Sequence, residues 1–399
     1  CSSHHAQMIS MKIGYTGNNY PEKRNIVGRV AEVEYVNVSK YNAFAYINKF
    51  NFWWKKRAGK DLIKSDYYQF KSLLKPSVNG IHFFNSVSYS STPYITTFET
   101  VLPYFDVLKK DFKHTDDWSQ LMVEQHILEA MEALASENCK GVLALSNSTK
   151  KIQEIVLAHY PQYASKILNK LSILHPPQEA VNYHARSFGG VFQLVFVGRA
   201  FYRKGGQELI HALTKIQKEI PIHLHLISSL DLESGWPGIT NVQVAEDKKW
   251  LKDQSWISFH EAMPNAHLLT LFGQCHLGFL PTWQDTYGYS VLEMQSRGCP
   301  VVSTMIRSLP EINPIDVGWQ IEHPVNQWGE WRELPTSRES ELSESLANEI
   351  YSCVKEILAN PQALETKGRA SVARIQKEHS PERHSQILSD LYQRMFGKK

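Results

Sequence analysis

The sequence predicts an α/β protein of two domains, and three observations carry that prediction. The segment His276 to Thr304, HLGFLPTWQDTYGYSVLEMQSRGCPVVST, reads as strand, loop, helix and strand in close succession. Elsewhere short apolar runs of strand length alternate with stretches of helical period. HPPQEAVNYHARSFGG, residues 175–190, has no periodicity and separates two halves of similar size, and 399 residues exceed one ordinary core. The boundaries that follow are 11–180, 190–379 and a last helical stretch, 380–399.

Composition narrows the function. Hydrophobic residues at 42% and charged residues at 21% describe a globular chain, and a net charge of +3 points as a whole to neither nucleic acid nor an acidic partner. Cysteines at 1, 139, 275, 299 and 353 are odd in number and lack CxxC spacing, so neither a disulfide framework nor a zinc site is indicated. A reducing, cytoplasmic compartment is expected. No stretch approaches the roughly 20 apolar residues of a membrane span. The opening CSSHHAQMIS lacks the apolar core of a signal peptide and reads as a ragged start.

In chain order, Met11 to Tyr15 is a strand, and Thr16-Gly17 begins a turn in which glycine permits close backbone approach. Tyr46 to Lys75 sets Phe50, Phe52, Trp53 and Trp54 directly before Lys55, Lys56 and Arg57, with Lys60, Lys64 and Lys71 beyond. Rings beside cations suit peripheral contact with an anionic membrane surface. A helix with aromatic core contacts and a solvated basic face explains the pattern equally well. Nucleic acid is not supported by any accompanying motif. Gly80 to Asn85 and Pro93 to Thr97 are strands, Glu99 follows the second, and Val123, Ile127, Met131 and Leu134 recur at helical spacing. The strand Gly141 to Leu145 ends in Ser146-Asn147-Ser148, with a helix expected near Thr149, Ser148 as a cap, and Ser146 as a cap or turn residue.

The second half opens with the strand Phe192 to Val197, then Gly198-Arg199 and Lys204-Gly205-Gly206, then a helix bearing Leu209, Ile210, Leu213 and Ile216. An Arg and a Lys at a strand-to-helix turn can grip a diphosphate, one as a planar fork and the other as a point charge, while the glycines admit backbone N–H groups. It is not a Walker loop. On the strand Ile222 to Ser229, His223 and His225 share one face, as a metal pair or as ordinary strand packing. Trp256 to Phe259 is a further strand. In the central segment Asp285 lies in the loop, Gly288 opens the helix, Glu293 lies one turn in, and Gly298 ends it before the strand Pro300 to Ser303. Helices around Leu342 to Leu358 and Pro361 to Ile375 precede a last one starting at Ser380-Pro381-Glu382.

Two of these patterns together resemble the retaining glycosyltransferases of family 4, the group 1 glycosyl transferases. The family's acidic motif is matched by Pro281, Thr282, Asp285, Tyr287, Gly288, Leu292, Glu293, Gly298, Pro300, Val301 and Val302, with Asp285 standing where the family has Glu. Its G-R-x-x-x-x-K-G is matched at Gly198 to Gly205, some 80 residues earlier, as in the family. The resemblance implies a GT-B fold: two Rossmann-like domains facing a central cleft, the last helix crossing back to the N-terminal, acceptor-side domain. It implies that Arg199 and Lys204 neutralise the leaving diphosphate and Glu293 binds the ribose. Asp285 with Gly198, Tyr287, Gly288 and Tyr289 would then orient the donor. Gly17 stands where the family's glycine loop faces the donor phosphates, and Glu99 where the family has a donor-side His.

The implied reaction moves a sugar, with retention, from a nucleotide-diphosphate sugar to a glycan, lipid-linked or other hydroxyl acceptor, with no metal, cofactor or protein nucleophile. Three alternatives stay open. A nucleotide-sugar epimerase or sugar phosphorylase is built on the same architecture. A noncatalytic sugar-binding relative would retain nucleotide without turnover.

Overall fold

The computed structural model describes residues 11–397 apart from 18, 60–64, 112–117, 189, 233–235 and 237. Lys60 and Lys64 of the basic stretch, like residues 1–10, lie outside the described residues. The chain forms two compact units, one running to Pro177 and taking up the chain again at Pro381, the other Gln178–Ser380.

The first unit is built on β1 (Met11–Tyr15), β2 (Val33–Asn37), β3 (Gln69–Phe70), β4 (Gly80–Phe84), β5 (Val87–Ser88), β6 (Tyr94–Phe98), β7 (Cys139–Ala144) and β8 (Leu171–Ile173). Six of these make a parallel sheet in the order β2-β1-β4-β6-β7-β8, while β3 and β5 pair separately. Every residue of β4 and β6 is buried, as a parallel sheet covered on both faces requires. The second unit holds β9 (Phe192–Val197), β10 (Ile222–Ile227), β11 (Ile257–His260), β12 (Leu277–Leu280), β13 (Val301–Thr304) and β14 (Trp319–Ile321), all parallel, in the order β11-β10-β9-β12-β13-β14. These are two Rossmann-like units, as the sequence predicts.

Several local expectations change. The stretch 119–135 is two helices, Ser119–Val123 and Gln125–Ala135, because Glu124 between them is extended. Val123 is therefore exposed, while Ile127, Met131 and Leu134 keep the apolar face. The helix after β7 starts at Asn147, and its cap is Ser146, whose Oγ accepts from the Thr149 N–H at 3.1 Å, rather than Ser148. β2 and β14 were not legible in the pattern, for each is short and half-exposed. His223 and His225 bond to Ser258 (2.8 Å) and Gln193 (2.9 Å), which is strand packing.

The last helix, Pro381–Phe396, packs on the first sheet. Leu388, Tyr392 and Phe396 join Ile13, Val30, Ile95, Leu143 and Leu174 in one core cluster. Gly80 is needed there, since a Cβ would lie 2.4 Å from the Phe396 ring. The Tyr392 hydroxyl meets His82 Nδ1 at 2.7 Å, and His82 Nε2 meets Thr97 Oγ1 at 2.8 Å. Burial pushes the His82 ring down to about 3, and nearby His384 adds to this. Unfolded, a His titrates near 6.5. Stability from a neutral His82 is thus complete above that value and is lost as pH falls toward 3, at up to about 1.4 kcal/mol per pH unit. Thermal melts from pH 7 to 4 are expected to show a steep acid limb that is shallower in His82→Gln; identical limbs would contradict this.

Candidate active site

In the second sheet, the chain leaves β9 toward β10 on one side and leaves β12 toward β13 on the other. The two loops therefore part above neighbouring strands, and such a switch point opens a crevice at the carboxyl ends of a parallel sheet. Both motifs singled out in the sequence fall there. The loop after β9, residues 198–205, carries Arg199, Arg203 and Lys204; the loop after β12, residues 281–288, carries Asp285.

The loops are locked together. Trp283 N–H donates to the Arg203 carbonyl at 3.0 Å, the Thr282 hydroxyl to the same carbonyl at 3.2 Å, and Arg203 Nη1 to the Gln284 carbonyl at 2.6 Å. Lys204 Nζ and Asp285 Oδ2 form a largely buried ion pair. Burial by itself pushes the Asp285 carboxyl up, but Lys204, Arg203 and the Tyr287 N–H outweigh it and hold the group below the usual carboxylate range. Beneath, the Trp283 and Trp331 rings pack at 4.4 Å.

Gly205 makes this approach possible. Its φ is +74°, and a Cβ would sit 2.0 Å from the Pro281 carbonyl oxygen. Gly288 caps the helix Tyr289–Ser296 at φ +90°, with Leu309 filling the space a side chain would take. Val291, Leu292 and Met294 of that helix are buried, and Glu293 is half-buried on its second turn. The Tyr287 N–H donates to Asp285 Oδ1 at 3.2 Å, and the Tyr287 and Tyr289 rings lie 5.1 Å apart.

A cavity of about 810 Å³ opens over the first loop, lined by Arg199, Ala200, Arg203, Lys204, Asp231 and Leu232. Arg199 is 89% exposed and bonds Asp231 through Nε (3.2 Å) and Nη2 (3.1 Å). The structure thus brings Arg199 and Lys204 to one cavity, pairs Lys204 with Asp285, and keeps Gly198 at the loop's start. Gly17 and Glu99 belong to the first unit. Gly17, at φ +82°, follows β1, and Glu99 follows β6, its N–H donating to Asn85 Oδ1 at 3.2 Å. Sequence reasoning missed Arg203, a third cation in the same loop. The run FYRKGG carried the signal, but only the folded loop shows that Arg203 turns toward the cavity.

Residues 191–325 match the family model Glycosyl transferases group 1. Over that stretch the second unit is similar to the group 1 glycosyl transferases. The matched stretch begins one residue before β9 and runs past β14, so it covers both loops. The Escherichia coli O-antigen chain mannosyltransferase B is 28% identical over 163 residues, 37% of this chain and 42% of that protein. The chain spans about half the length of the curated relatives it matches. Among solved structures, sucrose-phosphate synthase from Thermosynechococcus elongatus superposes with a TM-score of 0.56 at 14% identity, over 96% of this chain and 88% of that one. HepE from Anabaena, solved in complex with UDP, gives 0.55 at 12% identity, over 95% and 98%. At such identities the likeness is one of fold, and the fold is that of the GT-B glycosyltransferases.

Gly205→Ala is expected to destabilise the chain by about 1–3 kcal/mol from the dihedral alone, and by more because the Pro281 carbonyl must move. Gly28→Ala, at φ +73° with nothing within 4 Å, is the control. Denaturant unfolding should separate the two; equal losses would remove the close approach as a constraint.

Proposed function

We propose that this chain is a retaining glycosyltransferase that moves a sugar from a nucleotide-diphosphate sugar to a hydroxyl acceptor without calling on a metal. The observation that carries this is the triad of Arg199, Arg203 and Lys204 on one cavity at the switch point of a glycosyl transferase group 1 unit. Lys204 and Arg203, held by Asp285 and the Gln284 carbonyl, together with the mobile Arg199, neutralise the charge that grows on a diphosphate as the glycosidic bond breaks. In this reading Arg199 swings from Asp231 onto a phosphate oxygen, as its exposure allows, and Asp285 holds Lys204 in place while helping to orient the sugar. Glu293 accepts from the ribose hydroxyls. Backbone N–H groups at Tyr287 to Tyr289 meet the donor, with Gly198 leaving room beside Lys204.

The acceptor oxygen attacks the anomeric carbon on the face from which the diphosphate departs. The carbon–oxygen bond to phosphate breaks as the new one forms, and the acceptor's proton passes to the leaving phosphate. HepE has been solved with UDP and with UDP-glucose, and the E. coli relative is a mannosyltransferase, so a UDP-sugar and a mannosyl donor come first in a screen. A thermal-shift series should show one nucleoside diphosphate stabilising the wild type, by roughly 2.7 kcal/mol at a hundredfold excess over Kd, and not an Arg199→Ala, Lys204→Ala variant. No stabilisation by any nucleotide would overturn the reading.

The helix Ala43–Ala58 supports peripheral membrane contact in the same reading. Phe50, Phe52 and Trp53 are 42%, 67% and 46% exposed, Trp54 is half-buried, and Lys55, Lys56 and Arg57 stand in the last turn. Arg57 lies 4.0 Å over the Trp53 ring and Lys56 4.6 Å over Phe52. Exposed rings with cations suit an anionic headgroup layer, where each cation adds about 1 kcal/mol. No described helix is long and apolar enough to cross a membrane. Co-sedimentation with phosphatidylglycerol vesicles should fall severalfold in Trp53→Ala, Lys56→Glu; unchanged binding would sink the membrane role.

A further inference from the structure

The loop that leaves β10 runs beside the loop of residues 198–205, since β9 and β10 are neighbours in the sheet. It closes on one residue. Ser228 Oγ and the Asp231 N–H both donate to the Arg199 carbonyl at 3.2 Å, and Asp231 Oδ2 accepts from Arg199 Nε at 3.2 Å and Nη2 at 3.1 Å. Backbone and side chain of Asp231 thus grip the same arginine. The turn that brings them there is strained. Leu230, 1% exposed, stands at φ +52°, and its N–H donates to Ser228 Oγ at 3.1 Å. A leucine in that region is uncommon and persists only where its surroundings fix it. The turn's consequence is the place of the next residue, whose carboxylate reaches the cavity wall.

That carboxylate is at odds with an anion cavity. Arg199, Arg203 and Lys204 line the same wall, and Asp231 is the acidic residue among the lining groups. Ser229 and the Arg199 guanidinium hold its carboxyl below the usual carboxylate range, so it is ionised at neutral pH. Lys248, which also acts on it, is bonded to Glu261 at 2.8 Å. An anion placed there repels a diphosphate and covers the Nε–Nη2 edge of Arg199, an edge by which a guanidinium takes a phosphate. The pair is also loose. Its side chains are 89% and 43% exposed, and a surface ion pair of this kind opens at little cost.

We propose that Asp231 is a displaceable counter-ion of this site: its carboxylate leaves Arg199 when the donor's diphosphate arrives and takes Arg199 back as the nucleoside diphosphate departs. No covalent bond changes in the exchange, for one anion replaces another on the same guanidinium. The carboxylate therefore competes with the product for its own arginine and shortens the product's stay. Release of product limits turnover in many enzymes, and that is the step on which such a residue acts. Asp231 is a positioning residue in this role, acting through Arg199. The inference rests on the transfer reading only in naming the anion a nucleoside diphosphate.

Calorimetry and stopped-flow dissociation on the full chain test it, with UDP, GDP, ADP, CDP and inorganic pyrophosphate as probes. In Asp231→Asn, which keeps the N–H contact with the Arg199 carbonyl, the bound diphosphate should hold about threefold to fivefold more tightly, mostly through slower dissociation. Asp231→Ala should do the same, so the test does not hang on one variant's folding. The gain should fall below about twofold in an Arg199→Ala background, whereas a general charge effect would persist there. Unchanged or weaker binding in both variants, or equal tightening with and without Arg199, would overturn the proposal, as would a wild type that binds none of the probes. Pyrophosphate bound without any nucleoside diphosphate would overturn the transfer reading instead, while the variants still decide the exchange on pyrophosphate.

Discussion

The contact of Gly205 with the Pro281 carbonyl is the constraint on which the second unit's site depends. β9 and β12 are neighbours, and their loops must both leave the carboxyl edge of the sheet in a space one strand wide. Only a residue without a side chain lets one loop nest on the other at 2.0 Å from where a Cβ would stand. Once nested, Arg203 and Lys204 have no freedom to point elsewhere, because the Arg203 carbonyl is taken by Trp283 and Thr282 and the Lys204 ammonium by Asp285. A backbone contact thus fixes the placement of two charges.

The charge arrangement follows a consistent logic. Lys204 and Asp285 cancel where water is scarce, which avoids leaving a lone buried ion. Arg199, exposed and held only by Asp231, remains available to a ligand, since a surface ion pair holds with about 0–1 kcal/mol. The site therefore combines one fixed cation with one that can move, and Arg203 ties the two loops through Gln284. A diphosphate would meet Lys204 already in place and draw Arg199 onto itself.

Much of this was legible in the sequence because the residues that matter lie close to strand ends. Arg199, Lys204 and Asp285 sit within short loops and Glu293 within two turns of a helix start, where spacing alone sets position, and the two-unit parallel fold follows from strands read within a residue or two. What was hidden depends on contacts distant in sequence. Asp231 pairs with Arg199 across 32 positions, and Trp331 reaches the Thr282 carbonyl across 49. Glu22 looked like one charge in a polar stretch, for nothing in YPEKRN shows that Gly17 would leave a space for its carboxyl. The break at Glu124 was equally invisible, since the apolar period runs across it.

The same strand geometry recurs in both sheets with opposite charge around it. In each sheet two adjacent strands send their loops apart, and in each a glycine just beyond a strand leaves room for something that a side chain would exclude. In the second unit Gly205 admits a carbonyl, and the charges gathered there are cationic. In the first, Gly17 admits the carboxyl of Glu22, which stands with Glu99 near Tyr68. The topology supplies the crevice in both cases and says nothing about its ligand. The side chains at the strand ends decide that, and they differ: cations gather at the one crevice and a buried carboxyl lies at the other.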